Sequence, residues 1–347
     1  MILASWFKAA KLALCGANGS TKPASALRFC AIIGAAAIFV IVPIEGRAAY
    51  PDKPIQITIS FPPAGATDVL ARAVGNQLAK ELDQSVIIEN RAGAGGAIGL
   101  VAGARAAPNG YNLYLAATTN QAIAAAIYKD QAASLVDDFV PIGLIGFVPH
   151  ALVVPASLPV NNVQELIAYI KKSPGHYNYA SQGVGTLSHL EGDLFKVQND
   201  LDITHVPYKG SVQALPDVVN GLAVMMFDSV TGSMPLVKGN KLRFLAVASS
   251  ERVSLLPNIP TLKEAGIENV VADNLFGLFA PKDTPQEVIH TLSTALERAL
   301  KNPQLVSTMA AQGAELRFGP APELANVIAD EHSFWGDVVK RADIEAQ

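Results

Sequence analysis

Cysteine is nearly missing. Cys15 and Cys30 are the only two in 347 residues, and both lie within the first 48. The 299 residues that follow can form no internal disulfide and hold no thiol nucleophile, so their stability must come from a core alone. Charge is sparse at 16%, with a formal net of -4. That balance lacks the basic footprint that phosphates require, so no nucleic-acid partner is expected. The six histidines form neither an H-x-x-x-H nor an H-E-x-x-H pair, which leaves no expected metal site. No G-x-S-x-G elbow is present, and no G-K-[ST] follows a glycine loop. The cluster Gly93-Ala94-Gly95-Gly96-Ala97-Ile98-Gly99 does not follow its strand directly, and the next strand carries no acid at its end. It therefore fails the dinucleotide fingerprint, and no cofactor is expected.

Half the residues are hydrophobic, ample for a large core. Residues 1–48 hold five basic groups against the single acid Glu45, so the rest of the chain carries 21 basic and 29 acidic groups. Phe29 to Ile44 is an uncharged run of 16 residues, with basic residues before it and Gly46 and Ala48 behind it. A basic leader, an apolar centre and a small-x-small site predict a secretory signal over 1–48, cut between Ala48 and Ala49. A retained anchor is the alternative, although the run falls short of the roughly 20 residues a span needs. Beyond Tyr50 no stretch is long and apolar enough to cross a bilayer.

The remaining pattern alternates strand and helix. Ile55 to Ser60 (I-Q-I-T-I-S) has period two, and Asp68 to Leu82 places Val69, Leu70, Ala73, Val74 and Leu78 at helical spacing. Strands are predicted at 86–88, 112–116, 151–154, 178–180, 203–206, 223–227, 242–248 and 276–280. Helices are predicted at 96–106, 163–171, 187–197, 213–220, 286–300, 303–312 and 322–342. This is the βαβ rhythm of a sheet flanked by helices. At this length one doubly wound domain or two α/β lobes would serve, with crossings best placed at 149–155 and 274–280.

Four loops rich in glycine or hydroxyls stand just past predicted strands: 61–68 (F-P-P-A-G-A-T-D), 90–99 (N-R-A-G-A-G-G-A-I-G), 118–120 (T-T-N) and 181–189 (S-Q-G-V-G-T-L-S-H). Ligands of open α/β sheets sit at the carboxyl ends of strands, and free amides at helix starts favour anions. Each alone reads more readily as a turn or a helix cap, but four in register with the βα boundaries describe a polar pocket for a small carboxylate or phosphate. Asp68 and Asp228 are candidates for orienting loops or for meeting a ligand hydroxyl or amine. Arg91, Tyr208 and Lys209 could stand at the ligand mouth or tie two lobes together. His189 is expected to bond a neighbouring loop carbonyl, and Trp335 to pack in the core with Phe334 and Val338.

Beyond these readings the chain resembles, almost end to end, the extracytoplasmic solute-binding receptors of tripartite tricarboxylate transporters, the Bug family. The resemblance is carried by Tyr50-Pro51-Asp52-Lys53-Pro54, the loop at 61–68, E-N-R-A-G-A-G-G-A-I-G at 89–99, A-P-N-G-Y at 107–111 and G-V-G-T-L-S-H at 183–189. It continues through V-P-Y-K-G at 206–210, M-F-D-S at 226–229, L-P-N-I-P-T at 256–261 and G-L-F-A-P at 277–281. It implies an α/β, type II periplasmic binding protein-like fold. Each of its two lobes would hold a mixed sheet flanked by helices, with a ligand cleft between them. Lobe 1 would comprise 49–151 and 278–347, and lobe 2 would comprise 152–277.

The implied function is capture of a small organic carboxylate by a monomeric, non-enzymatic periplasmic receptor, for a transporter with membrane permease subunits. A ligand-sensing receptor for a membrane signalling protein is the alternative, and an α/β enzyme acting on a small carboxylate the more distant one. Carried onto this chain, the ligand residues would be Phe61, Gly65, Thr67, Asp68, Thr118, Asn120, Gly185, Thr186 and Asp228. Three departures stand out. Ala64-Gly65 replaces two glycines, Asn109 an aspartate, and Asn112 a hydroxyl residue. The methyl of Ala64 would be harmless only if its position needs no positive φ.

Overall fold

The computed structural model describes residues 50–342, apart from 129, 269 and 271. The expected signal segment and its cleavage point lie outside them. The first sheet opens with β1 (Ile55–Ile59), α1 (Ala66–Leu82), β2 (Val86–Asn90), α2 (Ala97–Ala104), β3 (Asn112–Ala117) and α3 (Thr118–Ile127). β1 runs parallel to both β2 and β3. Period two puts Leu113 and Leu115 of β3 in the core under α1, while Tyr114 and Ala116 face the opposite layer.

The next strand, β4 (Phe139–Pro155), serves both sheets. The second sheet is completed by α4 (Val163–Lys171), β5 (Tyr177–Ser181), α5 (Leu187–Gln198), β6 (Ile203–Pro207), α6 (Ser211–Val219), β7 (Met225–Ser229), α7 (Val230–Lys238) and β8 (Leu242–Val247). The chain then returns through β9 (Asp273–Pro281), α8 (Gln286–Leu300), α9 (Pro303–Ala310), β10 (Glu315–Pro320) and α10 (Ala321–Ala342). Residues 139–149 of β4 pair antiparallel with β9, whereas residues 150–155 pair with β7 and β8. The strand order is thus β2-β1-β3-β9-β4, with β10 also on β4, in one lobe. It is β6-β5-β7-β4, with β8 on β4, in the other. One crossing therefore falls at Pro149–His150. All of β9, including 273–277, pairs within the first sheet, whereas the expected division stood at 278.

Several elements differ from expectation for identifiable reasons. The first half of β4 escapes a strand pattern because Pro141 and Gly146 interrupt it; the register shifts beside each. β10 is a six-residue strand on β4 whose side chains are mostly exposed or half-buried, so it carries almost no apolar signal. The T-T-N stretch is no loop, since β3 passes straight into α3 at Thr118.

A third apolar cluster joins the lobes. Ile123 and Ile127 of α3 and Trp335 and Val339 of α10 meet Leu187 and Leu190 of α5. Trp335 is buried as expected, but Phe334 is 53% exposed, because adjacent residues on a helix face about 100° apart.

Candidate functional site

The first site loop follows β1. Ala64 adopts φ 65°, the left-handed region that disfavours a side chain, and Gly65 caps α1 with no side-chain hydrogen bond. The condition on Ala64 is therefore not met, and neighbouring bonds hold its strained backbone. The buried Asp68 carboxylate accepts from Ala64 N–H at 2.9 Å, from Asn90 Nδ2 at 2.9 Å, and from Arg72 Nε and a terminal guanidinium nitrogen at 2.9 and 2.8 Å. Asn90 Nδ2 also donates to the Phe61 carbonyl at 3.0 Å. Burial opposes the Asp68 charge, but the bonds from Arg72, Ala64 and Asn90 outweigh it and hold the carboxyl below its usual range.

The second lobe builds its wall from three strand-to-helix turns. After β5, Gly183 and Gly185 have φ 129° and 78°, and Thr186 caps α5 by accepting from His189 N–H. After β6, Gly210 caps α6 with no side-chain bond. After β7, Ser229 caps α7 by accepting from Gly232 N–H at 3.3 Å. Asp228 lies behind this wall, wholly buried. It accepts from Gln182 Nε2 at 2.8 Å and from the hydroxyls of Ser211 and Ser233, both at 2.5 Å.

Two adjoining chambers lie between the lobes and share Phe61 and Gln182. The larger, of about 200 Å³, is walled by the 93–96 turn and Tyr128 from one lobe and by 182–184, Tyr208 and Lys209 from the other. The smaller, of about 20 Å³, is walled by Gly65, Ala66 and Thr67 of the α1 start and by Gly210, Ser211 and Val212 of the α6 start. Ser229 and Asn274 complete it. The lobes touch around both chambers. Tyr128 Oη lies 3.5 Å from the Val184 carbonyl, a Cβ on Gly95 would come within 2.6 Å of that same oxygen, and a Cβ on Gly210 within 2.9 Å of Pro62 Cδ.

Of the nine residues expected around a ligand, Phe61, Gly65 and Thr67 stand on these walls. Asp68 and Asp228 stand behind them: Asp228 holds the wall residues Gln182 and Ser211, and Asp68 holds Ala64 and Asn90 beside the wall. Gly185 adjoins the wall at Val184, and Thr186 is committed to its own turn, donating to the Gly183 carbonyl at 2.7 Å. Asn120 bridges the lobes: its Oδ1 accepts from Leu187 N–H at 2.8 Å and its Nδ2 donates to Asn274 at 3.1 Å. Thr118 faces elsewhere, into a separate pocket beside Gln121, Ile328 and His332. Among the described residues, then, Thr118 lines a pocket apart from the chamber that Gly65 lines, because it stands in the first turn of α3 beside α10, and Thr186 lines neither.

Sequence reasoning missed Gln182, Ser211, Ser229, Asn274 and Tyr128. Ser211 and Ser229 carry the one available signal, a hydroxyl directly at a βα boundary.

The remaining polar groups serve the scaffold. His189 Nε2 lies 3.0 Å from the Asp193 carboxylate rather than on a loop carbonyl, and its ring stacks on His205 with centroids 4.2 Å apart. Burial and the neighbouring His189 lower His205 to about 4. Burial pushes Glu331 up to about 7 against a hydrogen bond from Thr119. Arg91 pairs with Glu89 at 2.8 Å and reaches neither chamber. Among the described residues no group of three or more His, Cys, Asp or Glu is placed to hold a metal ion.

Residues 70–344 match the family model for the tripartite tricarboxylate transporter family receptor, TctC. The chain belongs to this family. As a TctC receptor it is similar to protein BugT of Bordetella pertussis (strain Tohama I), at 34% identity over 90% of this chain and 97% of BugT. It is also similar to the R. palustris protein Rpa4515 solved with adipate, at 31% identity and TM-score 0.82, over 85% of this chain and 99% of that one. MatC from Rhodopseudomonas palustris, solved with bound malate, matches at 30% identity and TM-score 0.77, over 84% of this chain and 100% of MatC. The fold is the two-lobed, type II periplasmic binding fold with mixed sheets flanked by helices. TctC proteins are solute receptors of the periplasm, which fits a cleft whose buried carboxylates are engaged in holding its walls.

Proposed function

We propose that this receptor holds a small organic carboxylate in the smaller chamber and closes its lobes around it, delivering it to the permease subunits of a tripartite transporter. One observation carries the reading. The starts of α1 and α6, one from each lobe and each capped by a glycine without a side-chain bond, face the same chamber. Among the described residues, the amides of Ala66, Thr67, Ser211 and Val212 have no partner within the protein. Each helix start favours a partly buried anion by up to about 2 kcal/mol, and a hydrogen bond to a charged group contributes about 1.5–3 kcal/mol. An anion bridging both starts favours the closed arrangement, because it bonds to two lobes at once.

The larger chamber would take the rest of the ligand. Among the described residues, Lys209 is the single basic residue on its wall, and no acid lines either chamber. Adipate in Rpa4515 and malate in MatC are small carboxylates of the class proposed for this cleft. The lobes divide at Pro149–His150 and ahead of Asp273, and Phe61, Gly65 and Thr67 contact the ligand while Asp68 and Asp228 orient its binding loops. The segment 1–48 directs export and is cut off between Ala48 and Ala49, which N-terminal sequencing of the periplasmic protein checks. Calorimetric titration with di- and monocarboxylates tests the function. Saturable binding with an unchanged ligand recovered afterwards is expected, and turnover of the acid or the absence of any carboxylate binding would contradict it.

A further inference from the structure

We infer that the smaller chamber selects a carboxylate bearing a hydroxyl on the adjacent carbon, a 2-hydroxy acid. The inference rests on the carboxylate-receptor reading above and concerns which protons its wall can still donate. Asp228, as a carboxylate, only accepts, and it takes the Ser211 and Ser233 hydroxyl protons and one Gln182 amide proton. The Ser211 hydroxyl has a single proton, so toward the chamber its Oγ offers lone pairs alone. Gln182 must direct its NH₂ end at the carboxylate. This leaves its Oε1, on the chamber wall, as the second acceptor, and among the described residues no hydrogen bond to that oxygen is formed.

The wall thus pairs donors with acceptors in fixed places. Amides at the two helix starts meet the carboxylate, and Ser211 Oγ and Gln182 Oε1 await a donor. Ser211 supplies both an amide and an acceptor, so a ligand donor reaching its Oγ lies next to the carboxylate. A ligand lacking that donor leaves two buried oxygens unpaired while excluding the water that would serve them. An ammonium would bring three protons to two acceptors, and among the described residues the nearest carboxylate, Asp228, stands behind the wall with its oxygens already filled. A hydroxyl fits both counts.

Matched pairs test this by calorimetry at pH 7.5: malate against succinate, lactate against propionate, and aspartate against both diacids. In a pair that binds, the hydroxy acid is expected to bind roughly tenfold tighter than its deoxy partner. Ser211→Ala should reduce that preference to below about threefold, and Ser211→Thr, which keeps the hydroxyl, should preserve it. Thermal melts of both variants confirm folding. Equal or tighter binding of the deoxy acid, or a preference that survives Ser211→Ala in folded protein, overturns the inference and leaves the receptor reading standing. Aspartate binding tighter than malate overturns the hydroxyl assignment in favour of an amine. No binding by any carboxylate overturns the receptor reading itself.

Discussion

Replacing Asp68 with Ala probes the first site loop most informatively, because its carboxylate holds that loop without standing on the chamber wall. The substitution removes acceptors from Ala64 N–H, Asn90 Nδ2 and the Arg72 guanidinium. Arg72 is half exposed and regains water, so its share is small, about 0–1 kcal/mol. The Ala64 amide and the Asn90 side chain are left short of a partner in a partly buried place, at about 1–3 kcal/mol each. A stability loss near 3 kcal/mol is therefore expected, within the roughly 5–15 kcal/mol that a folded protein holds. The variant should fold with Ala64 free to leave its left-handed conformation, so that Ala66 and Thr67 no longer present their amides in one arrangement.

Carboxylate affinity should fall about tenfold or more, equivalent to about 1.4 kcal/mol of lost preorganisation. Urea unfolding and calorimetric titration of the same preparation measure both quantities. The sign with pH also follows. The native Asp68 carboxyl is held below its ordinary range, so its contribution is complete above the unfolded value and is lost as pH falls through the native one. The variant should lack that part of the acid-side decline. Unchanged affinity alongside lost stability would refute the claim that this loop positions the ligand, and unchanged stability would refute the network itself.

Gly210→Ala should weaken ligand binding about tenfold or more while each lobe stays folded, because the methyl meets Pro62 of the opposite lobe on a backbone with φ 152°; calorimetry with small-angle scattering would show an opened average. Asn120→Leu removes an acceptor from the Leu187 amide and should lower stability by about 1–3 kcal/mol in chemical unfolding. Glu331 is raised to about 7, so it contributes stability below the ordinary carboxyl range that fades as pH rises through 7. Glu331→Gln should accordingly gain melting temperature relative to the parent at pH 8 and little at pH 5. His205 behaves in the opposite sense. Its lowering to about 4 means that stability declines as pH falls from the ordinary histidine value toward 4, and His205→Asn should flatten that part of the profile.

Much of this arrangement is legible in the residue pattern. Ile55 to Ser60 announces β1 through strict alternation, and the turns at 61–65 and 182–185 announce themselves through Gly or Pro at βα boundaries. What the pattern conceals is which way a first-turn side chain points. Thr118 and Thr67 are both hydroxyls at helix starts, yet one faces α10 and the other the cleft, because β3 enters its helix without the intervening turn that follows β1. Asp228 reads as a ligand contact because it ends a strand. Only three-dimensional packing shows its oxygens filled by Gln182, Ser211 and Ser233. β4 shows how proline and glycine at bulges can erase a strand signal from the one element on which both sheets depend.

The measurement that bears most directly on the account is a crystal structure of the receptor with a carboxylate it binds. Carboxylate oxygens within hydrogen-bonding distance of the amides at both helix starts, Ala66–Thr67 and Ser211–Val212, are predicted. A carboxylate anchored on Lys209 in the larger chamber, with those four amides unengaged, would contradict it.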